Sequence, residues 1–207
     1  LFPDNFIMHL ETPESYIGPK EIFGLKKVKE IDQEQHRGFP LVNNDPDLDY
    51  YTFIPDKHKA DYLVPEQLPD SLIKAIHSFI LSCAARLYRN QSEQHSSMLI
   101  HVTRYVKVQS QVFRLVDGYL IDLRSKILAG DIEIFDILRN LWEDDFMVVS
   151  ADMEISGHGQ VHTFDHIRGF LEEVLNELGT PLQINGEAGD VLEYEAATRA
   201  GRRLTVV

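Results

Sequence analysis

The sequence has one cysteine, Cys83, and no long apolar stretch. A single cysteine cannot form a disulfide within the chain, and its place among apolar residues at helical spacing predicts a small buried thiol on a helix. No run approaches the roughly eighteen apolar residues of a membrane-spanning helix, and the chain does not open with a signal-peptide pattern. We therefore expect a cytoplasmic protein that uses neither a membrane nor a disulfide.

Recognisable catalytic and nucleotide-binding motifs are also missing. The chain contains no GxSxG nucleophile motif, no CxxC pair and neither of the glycine-rich phosphate loops, GxxxxGK[ST] and GxGxxG. The paired carboxylates Asp144-Asp145 and Glu172-Glu173 are each adjacent on a predicted helix, where neighbouring positions diverge and cannot converge on one atom. The residues taken alone therefore support no catalytic residue, no bound cofactor and no catalytic mechanism.

Positive charge is scarce and unevenly placed. The chain has 20 Lys and Arg against 33 Asp and Glu, a net charge of -13 that argues against a generic polyanion-binding surface. Between His101 and Lys126, however, five basic residues stand against two acids, whereas Asp131 to Glu154 holds eight acids and one arginine. This distribution indicates a local cationic strip on an acidic body, although two ordinary solvated faces would give the same pattern.

Apolar residues recur at three- and four-residue steps in several segments, which predicts helices with one buried face. The clearest of these periods follows Pro69, with Asp70 or Ser71 as the N-cap. The predicted helices cover 70–89, 108–128, 132–146 and 164–179, the last ended by Gly179 in the C′ position, and a polar helix or loop covers 187–201.

Short apolar and β-branched segments between these helices predict strands. The segments are SSMLIHVTRY (96–105), MVVSADMEI (147–155), TPLQING (180–186) and the terminal RRLTVV. Strands that alternate with helices predict a parallel sheet covered on both faces, so the fold class is α/β with a mostly parallel sheet flanked by helices. Residues 1–65 hold most of the prolines and show no sustained helical period, which indicates an irregular arm.

Polar residues stand where two of the predicted strands end. Thr103 and Arg104 close the first strand, which also contains His101, and Asn185 and Gly186 close the strand that begins near Thr180. In parallel sheets, ligands bind beyond the carboxyl ends of the strands. We therefore expect a binding site at this edge of the sheet.

Three histidines, His158, His162 and His166, stand at four-residue spacing around Asp165. On a continuous helix this spacing would place three imidazoles on one face, as in a zinc site. Glycines on both sides of the first histidine argue against a continuous helix, and no cysteine or HExxH motif supports a metal. Capping and surface histidines around a helix start are the more economical interpretation, and we predict no bound metal.

Several blocks of the sequence together resemble the Z-one domain of a family described as endonucleases in bacterial restriction-like systems. That family is similar to superfamily-two helicases, which have two RecA-like lobes. The resemblance covers nearly the whole chain in the right order. The blocks are LFPDNFI, TPESYIGPKEIFG, LPDSLIKAIHSFILSCAARLYR, HSSMLIHVTRYVKVQSQV, PLQING and GRRLTVV.

The resemblance implies that the chain is a fragment of a longer helicase-like protein. Residues 1–65 would be the arm between the lobes, and residues 66–207 would be most of the second RecA-like lobe, cut before its C-terminal motifs. The abrupt apolar end of the chain fits a fragment. ATP and Mg²⁺ would be bound by the intact parent and not by this fragment. Its partners would be DNA, the first RecA-like lobe, and restriction or methyltransferase subunits.

The resemblance also gives the two strand ends a role. In such motors the end of the first strand of the second lobe meets the nucleic-acid backbone, which makes Thr103 and Arg104 candidates for phosphate contact, with His101 as support. Asn185 and Gly186 would form a second backbone-contacting turn. A hydroxyl and a guanidinium are good phosphate donors. The alternatives are a structural role for His101 and an ordinary surface salt bridge for Arg104.

A rival hypothesis needs no nucleic acid. An acidic face and a proline-rich arm over residues 1–65 could instead dock a partner subunit, which would make the chain a protein-interaction module. Nuclease chemistry within this segment is the weakest hypothesis, because no cluster of acids stands at the predicted strand ends.

Overall fold

The computed structural model describes residues 18–23, 41–42, 49–155, 161–185 and 193–207. Predictions that involve His158 and Gly186 lie outside these residues. The described ranges contain these elements in chain order: α1 (Pro19–Phe23), α2 (Tyr50–Phe53), α3 (Asp70–Tyr88), β1 (Ser96–Met98), α4 (Val106–Ala129), α5 (Ile132–Leu141), a π-helix (Trp142–Met147), α6 (Val148–Ile155), α7 (Phe164–Arg168), α8 (Leu171–Leu178), α9 (Tyr194–Arg199) and β2 (Leu204–Val206).

Helix α3 confirms the helix predicted after Pro69, including the burial of Cys83. Its N-terminus is capped differently from the prediction, because Pro69 occupies the N-cap position and has no side-chain donor or acceptor. The carboxylate of Asp49 takes over this function from a distance in sequence, accepting hydrogen bonds from the backbone N–H of Ser71 at 2.9 Å and from the Ser71 hydroxyl. A residue of the preceding segment therefore satisfies a free N–H group of the first helical turn.

Helix α4 also confirms its prediction and runs the length of the domain. It begins two residues before the predicted start and ends at Gly130, which adopts the left-handed conformation (φ 71°) typical of a C-terminal glycine. Its buried residues recur at helical spacing, as the apolar pattern requires. They are Val108, Val112, Val116, Leu120, Leu123 and Ile127.

The strand predicted over residues 147–155 is wrong. After α5, which Asp131 caps through its carboxylate, the chain continues through the π-helix directly into α6. The β-branched run at its start favours a strand only weakly, because β propensity is largely a matter of packing. Here Trp142 is buried and its indole N–H donates to the carbonyl of His162 at 2.8 Å, so the wide π-turn is fixed by a tertiary contact.

The helix predicted over residues 164–179 is divided into α7 and α8 by a turn at Gly169 and Phe170. Gly179 does end α8, with the positive φ of 60° that the sequence pattern indicated. Helix α8 buries an apolar face against α3 and α4, and it also packs against β2. It therefore links the helical core to the sheet.

One two-stranded parallel sheet is present among the described residues. Strand β1 pairs with β2, with Met98 opposite Val206. The parallel arrangement and the terminal strand are confirmed, but β1 is much shorter than the predicted strand. TPLQING was predicted to be a strand and is not one within the described residues 180–185. Its Leu182 N–H donates to the Val206 carbonyl at 2.8 Å, so the segment lies beside β2 through this hydrogen bond.

The fold is therefore helix-rich with a small parallel sheet, and the larger sheet of a RecA-like lobe stays a prediction. Its core is one cluster of buried apolar side chains contributed by α3, α4, α5, α7, α8 and β2. Phe53 of α2 belongs to the same cluster, so residues just before position 65 pack on the domain. None of the helices in the described ranges combines the length and apolar character needed to cross a membrane.

Candidate functional site

The segment after β1 turns the chain from the sheet into α4. The backbone N–H of Ile100 still bonds the Val207 carbonyl at 2.7 Å, beyond the last paired residue of β1. From there, His101 and Arg104 are exposed, whereas Thr103 between them is buried. Val102 is exposed as well, so Thr103 is the one side chain of residues 101–104 that is buried.

Thr103 is held by three hydrogen bonds inside the protein. Its hydroxyl oxygen lies 2.6 Å from Nε2 of His58 and accepts from the Tyr105 N–H at 3.2 Å, while its carbonyl accepts from the Gln109 side chain at 2.8 Å. His58 Nδ1 lies 3.0 Å from the Pro55 carbonyl, which can only accept. His58 therefore bridges Pro55 and the Thr103 hydroxyl, and this contact holds the segment of His58 against the residue that precedes Arg104.

Arg104 presents its charge to solvent. Its guanidinium donates to the Tyr105 hydroxyl at 3.1 Å and lies 5.1 Å from the centroid of that ring. The hydrogen bond to Tyr105, followed by the electrostatic interaction with it, raises the pKa of Arg104 further above its ordinary value. In the part of the chain that the structure describes, Arg104 makes no ion pair, so the surface salt bridge considered above is not observed there.

Gln109, in the first turn of α4, joins the two polar strand ends. Its Nε2 donates to the Thr103 carbonyl, and its Oε1 accepts from Nδ2 of Asn185 at 3.3 Å. A second bond of the same kind runs from Gln183 Nε2 to the Ser110 hydroxyl at 2.8 Å. These bonds bring Asn185 next to the segment of Thr103 and Arg104, although residues 180–185 do not form the parallel strand from which the sequence argument placed Asn185. Their contact with nucleic acid stays a prediction.

A cleft lies between the segment that follows β1 and the segment 180–185. Its volume is about 90 Å³, which is well below the roughly 300 Å³ of typical small-molecule pockets. Most of its lining is apolar. The lining residues include Leu99, Val102, Phe113, Pro181, Ile184 and Val207, with His101, Thr103, Gln109 and Gln183 as the polar members. A cleft this small favours contact of a large ligand with the residues around it over insertion into it.

Sequence reasoning missed two residues that organise this edge, His58 and Gln109. Gln109 belongs to no sequence motif, and only its hydrogen bonds in the folded protein show that it joins the two segments. His58 did carry a signal, because it lies in Lys57-His58-Lys59, a dense basic triplet in an acidic chain. That triplet lies within the segment that the sequence pattern assigned to an irregular arm.

The histidines considered for zinc have other roles where the structure describes them. Nδ1 of His166 accepts from the Thr163 N–H at 3.2 Å in a capping box, which agrees with the capping interpretation. His162 and His166 both contact the Tyr88 ring. Burial, followed by the charges of Arg89 and His166, lowers the pKa of His162. Among the described residues, no group of three His, Cys, Asp or Glu side chains is arranged to hold a metal.

One histidine, His77, is buried in the core between α3 and α4. Nε2 of His77 lies 2.6 Å from the hydroxyl of Tyr119. Burial lowers the pKa of His77 to about 4. Burial, followed by the charge of Asp122, raises the pKa of Tyr119 to about 12. The tyrosine therefore donates to a neutral imidazole at physiological pH, which is a structural arrangement.

These observations define a class of domain: a helix-rich α/β unit in which two polar segments meet over the start of one long helix. Comparison with known families adds a specific assignment. The family model described as the Z1 domain matches residues 71–207, well over half of the 207 residues. The chain belongs to the Z1 domain family, which confirms the resemblance to the Z-one domain. No curated protein and no solved structure gave a significant match.

Proposed function

We propose that this domain contacts the backbone of DNA as part of an ATP-dependent, helicase-like enzyme of a bacterial restriction or defence system. Membership of the Z1 domain family supports the proposal. The observation that carries it is the pair of hydrogen bonds from Gln109 to Thr103 and Asn185, which hold the segment of the exposed Arg104 beside residues 180–185, because a guanidinium is a good donor to phosphate oxygens.

The residues of the site divide into two roles. Arg104 and His101 are exposed and would contact phosphate directly. Thr103 and Asn185 bond within the protein and would position the two segments that carry the contacts. Gly186 would contribute a backbone N–H to the second turn, a common donor to phosphate.

Other parts of the intact parent protein would hydrolyse ATP. ATP and Mg²⁺ would be bound by the intact parent, with the first RecA-like lobe opposite this domain. Hydrolysis between the lobes would move this edge along the strand. Restriction or methyltransferase subunits would associate with the assembly in the cytoplasm. This chain by itself is expected neither to hydrolyse ATP nor to cleave DNA.

Fluorescence anisotropy with labelled single- and double-stranded oligonucleotides at low salt tests the proposal. Arg104→Ala should weaken binding and make it less salt-dependent, because one phosphate contact is lost. Arg124→Ala is a matched control, since Arg124 is also exposed but lies near the far end of α4. Equal affinity of all three proteins, or no binding by the unchanged chain, would refute the proposal.

Docking of a partner subunit remains the second candidate, and one observation favours it. Apolar side chains are exposed on the rim of the cleft, Leu99 at 72% and Ile184 at 43%. Exposed apolar groups beside a groove are typical of protein contacts. Leu99→Ser separates the candidates: it should leave oligonucleotide binding intact if phosphate contacts dominate, and it should abolish co-purification of a subunit if docking dominates.

A further inference from the structure

A basic turn of the preceding segment lies against the strand end, outside the residues that match the family. We propose that Lys57 and Lys59 extend the phosphate-contacting edge, so that a single nucleic-acid strand runs over Arg104 and onto this turn. The inference rests on the proposed function and assigns it a second group of contacts. The ligand is a phosphodiester backbone, contacted at several successive phosphates.

His58 anchors the turn of Lys57 and Lys59 to the two residues on either side of Arg104. His58 lies between the two lysines and reaches Thr103, 45 positions later, with 2.6 Å between Nε2 and the hydroxyl oxygen. Its ring also meets the Tyr105 ring edge-on, with centroids 5.4 Å apart. Because neighbouring Cα atoms are only about 3.8 Å apart, these contacts bring the backbone of Lys57 and Lys59 near the backbone of Arg104, which lies between Thr103 and Tyr105.

Lys57 adopts a backbone conformation that a lysine disfavours. Its φ is 62°, in the left-handed region where Gly and Asn are the common residues. A lysine there costs stability, and nothing in its packing explains the choice, since the side chain is exposed. Unfavourable backbone conformations concentrate at functional sites. The proposed phosphate contact would account for a lysine at this position.

The turn and the strand end together form a cationic patch on an acidic chain. Lys57, Lys59, Arg104 and Lys107 are all exposed, and none of them makes an ion pair with another described residue. Two acids, Asp56 and Asp61, lie close to the lysines in sequence. The local excess of positive charge contrasts with the net charge of -13 for the chain.

The arrangement suits an extended polyanion better than a single phosphate. The four cations come from two separate segments and are all exposed, so they do not converge on a buried anion site. A nucleic-acid strand carries a charged phosphate at every nucleotide, so successive phosphates could contact cations of both segments. Inorganic phosphate would contact one cation at a time and would bind weakly.

Replacing Lys57 by Asn and Lys59 by Gln tests the inference with little risk to the fold. Asn readily adopts the left-handed conformation, so Lys57→Asn should maintain or increase the melting temperature while removing the charge. The double variant should weaken binding of a labelled single strand. The plot of log K against log salt should become shallower by about 1.4, for two lost contacts on single-stranded nucleic acid.

Two controls make the result specific. Lys57→Arg with Lys59→Arg keeps both charges and should retain affinity. Lys126→Ala removes an exposed lysine near the far end of α4, where it pairs with Asp122 at 2.8 Å, and should leave binding unchanged. An excess of inorganic phosphate at matched ionic strength should not displace the strand.

The outcomes distinguish this inference from the proposed function. If Arg104→Ala weakens binding and the double lysine variant does not, the basic turn is no part of the site and only this inference fails. If the unchanged chain binds no strand, both fail. Displacement by inorganic phosphate at matched ionic strength would identify a simple anion site and would also overturn the inference.

Discussion

The ring of His58 and the hydroxyl of Thr103 are in hydrogen-bond contact, with 2.6 Å between Nε2 and Oγ1. This contact ties a segment that precedes the family match to the end of β1. It also occupies the Thr103 hydroxyl inside the protein, where Thr103 is only 6% exposed. The role of Thr103 is therefore testable separately from that of its neighbour Arg104.

Thr103→Val should lower the free energy of unfolding by about 1–2 kcal/mol, because the substitution keeps the shape but leaves His58 without its partner. Urea unfolding of the two proteins measures the difference. Thr103→Ser is the matched control: it keeps the hydroxyl and should restore most of the loss. A Val variant as stable as the unchanged chain would show that this hydrogen bond contributes nothing.

The buried His77 should make the domain less stable in mild acid. Burial lowers its pKa in the folded state to about 4, below the ordinary value of about 6.5 that we expect in the unfolded chain. The unfolded state therefore takes up the proton first. The stabilising contribution, at most about 3 kcal/mol, is complete above pH 6.5 and is lost as the pH falls toward 4.

Unfolding measured at pH 7 and at pH 4.5 for the unchanged chain and for His77→Gln checks this expectation. The glutamine can still accept from Tyr119 but does not titrate, so the variant should lose less stability between the two pH values. An equal loss in both proteins would assign the acid sensitivity to other groups.

Cys83 should be unreactive in the folded protein. Burial is the main cause that raises the pKa of its thiol to about 12, and the thiolate is the reactive form. A thiol reagent at pH 8 should label no cysteine until denaturant unfolds the domain, when one thiol per chain should react. Rapid labelling without denaturant would show that the α3 face opens in solution.

Asp49 should stabilise α3 although it lies 22 positions from the residue that it caps. Asp49→Ala removes the acceptor of the Ser71 N–H and should cost about 1 kcal/mol, the usual loss for a helix cap. Thermal unfolding followed by circular dichroism measures it. Asp56→Ala, a change at an exposed acid of the same segment, should leave the melting temperature nearly unaltered.

The sequence predicted long periodic helices well and short strands poorly. The spacing of apolar residues predicts α3 and α4 directly, because the buried face of a helix repeats every three or four residues along the chain. The segment 147–155 was predicted as a strand, but it is helical and continues from the π-turn that begins at the buried Trp142, whose indole bonds the His162 carbonyl. Local β preference could not reveal that contact, because packing of distant residues outweighs it.

The candidate site shows the same division. The sequence by itself marked Thr103, Arg104 and Asn185 as polar residues at the ends of apolar segments, and it determined the two principal helices and the acidic balance. Only the tertiary structure decided that Gln109 joins those ends, that the Thr103 hydroxyl faces inward, and that His58 contacts Thr103. The physical reason is that periodicity records which face of a segment is buried, whereas hydrogen bonds between residues 45 or 76 positions apart exist only once the chain has folded.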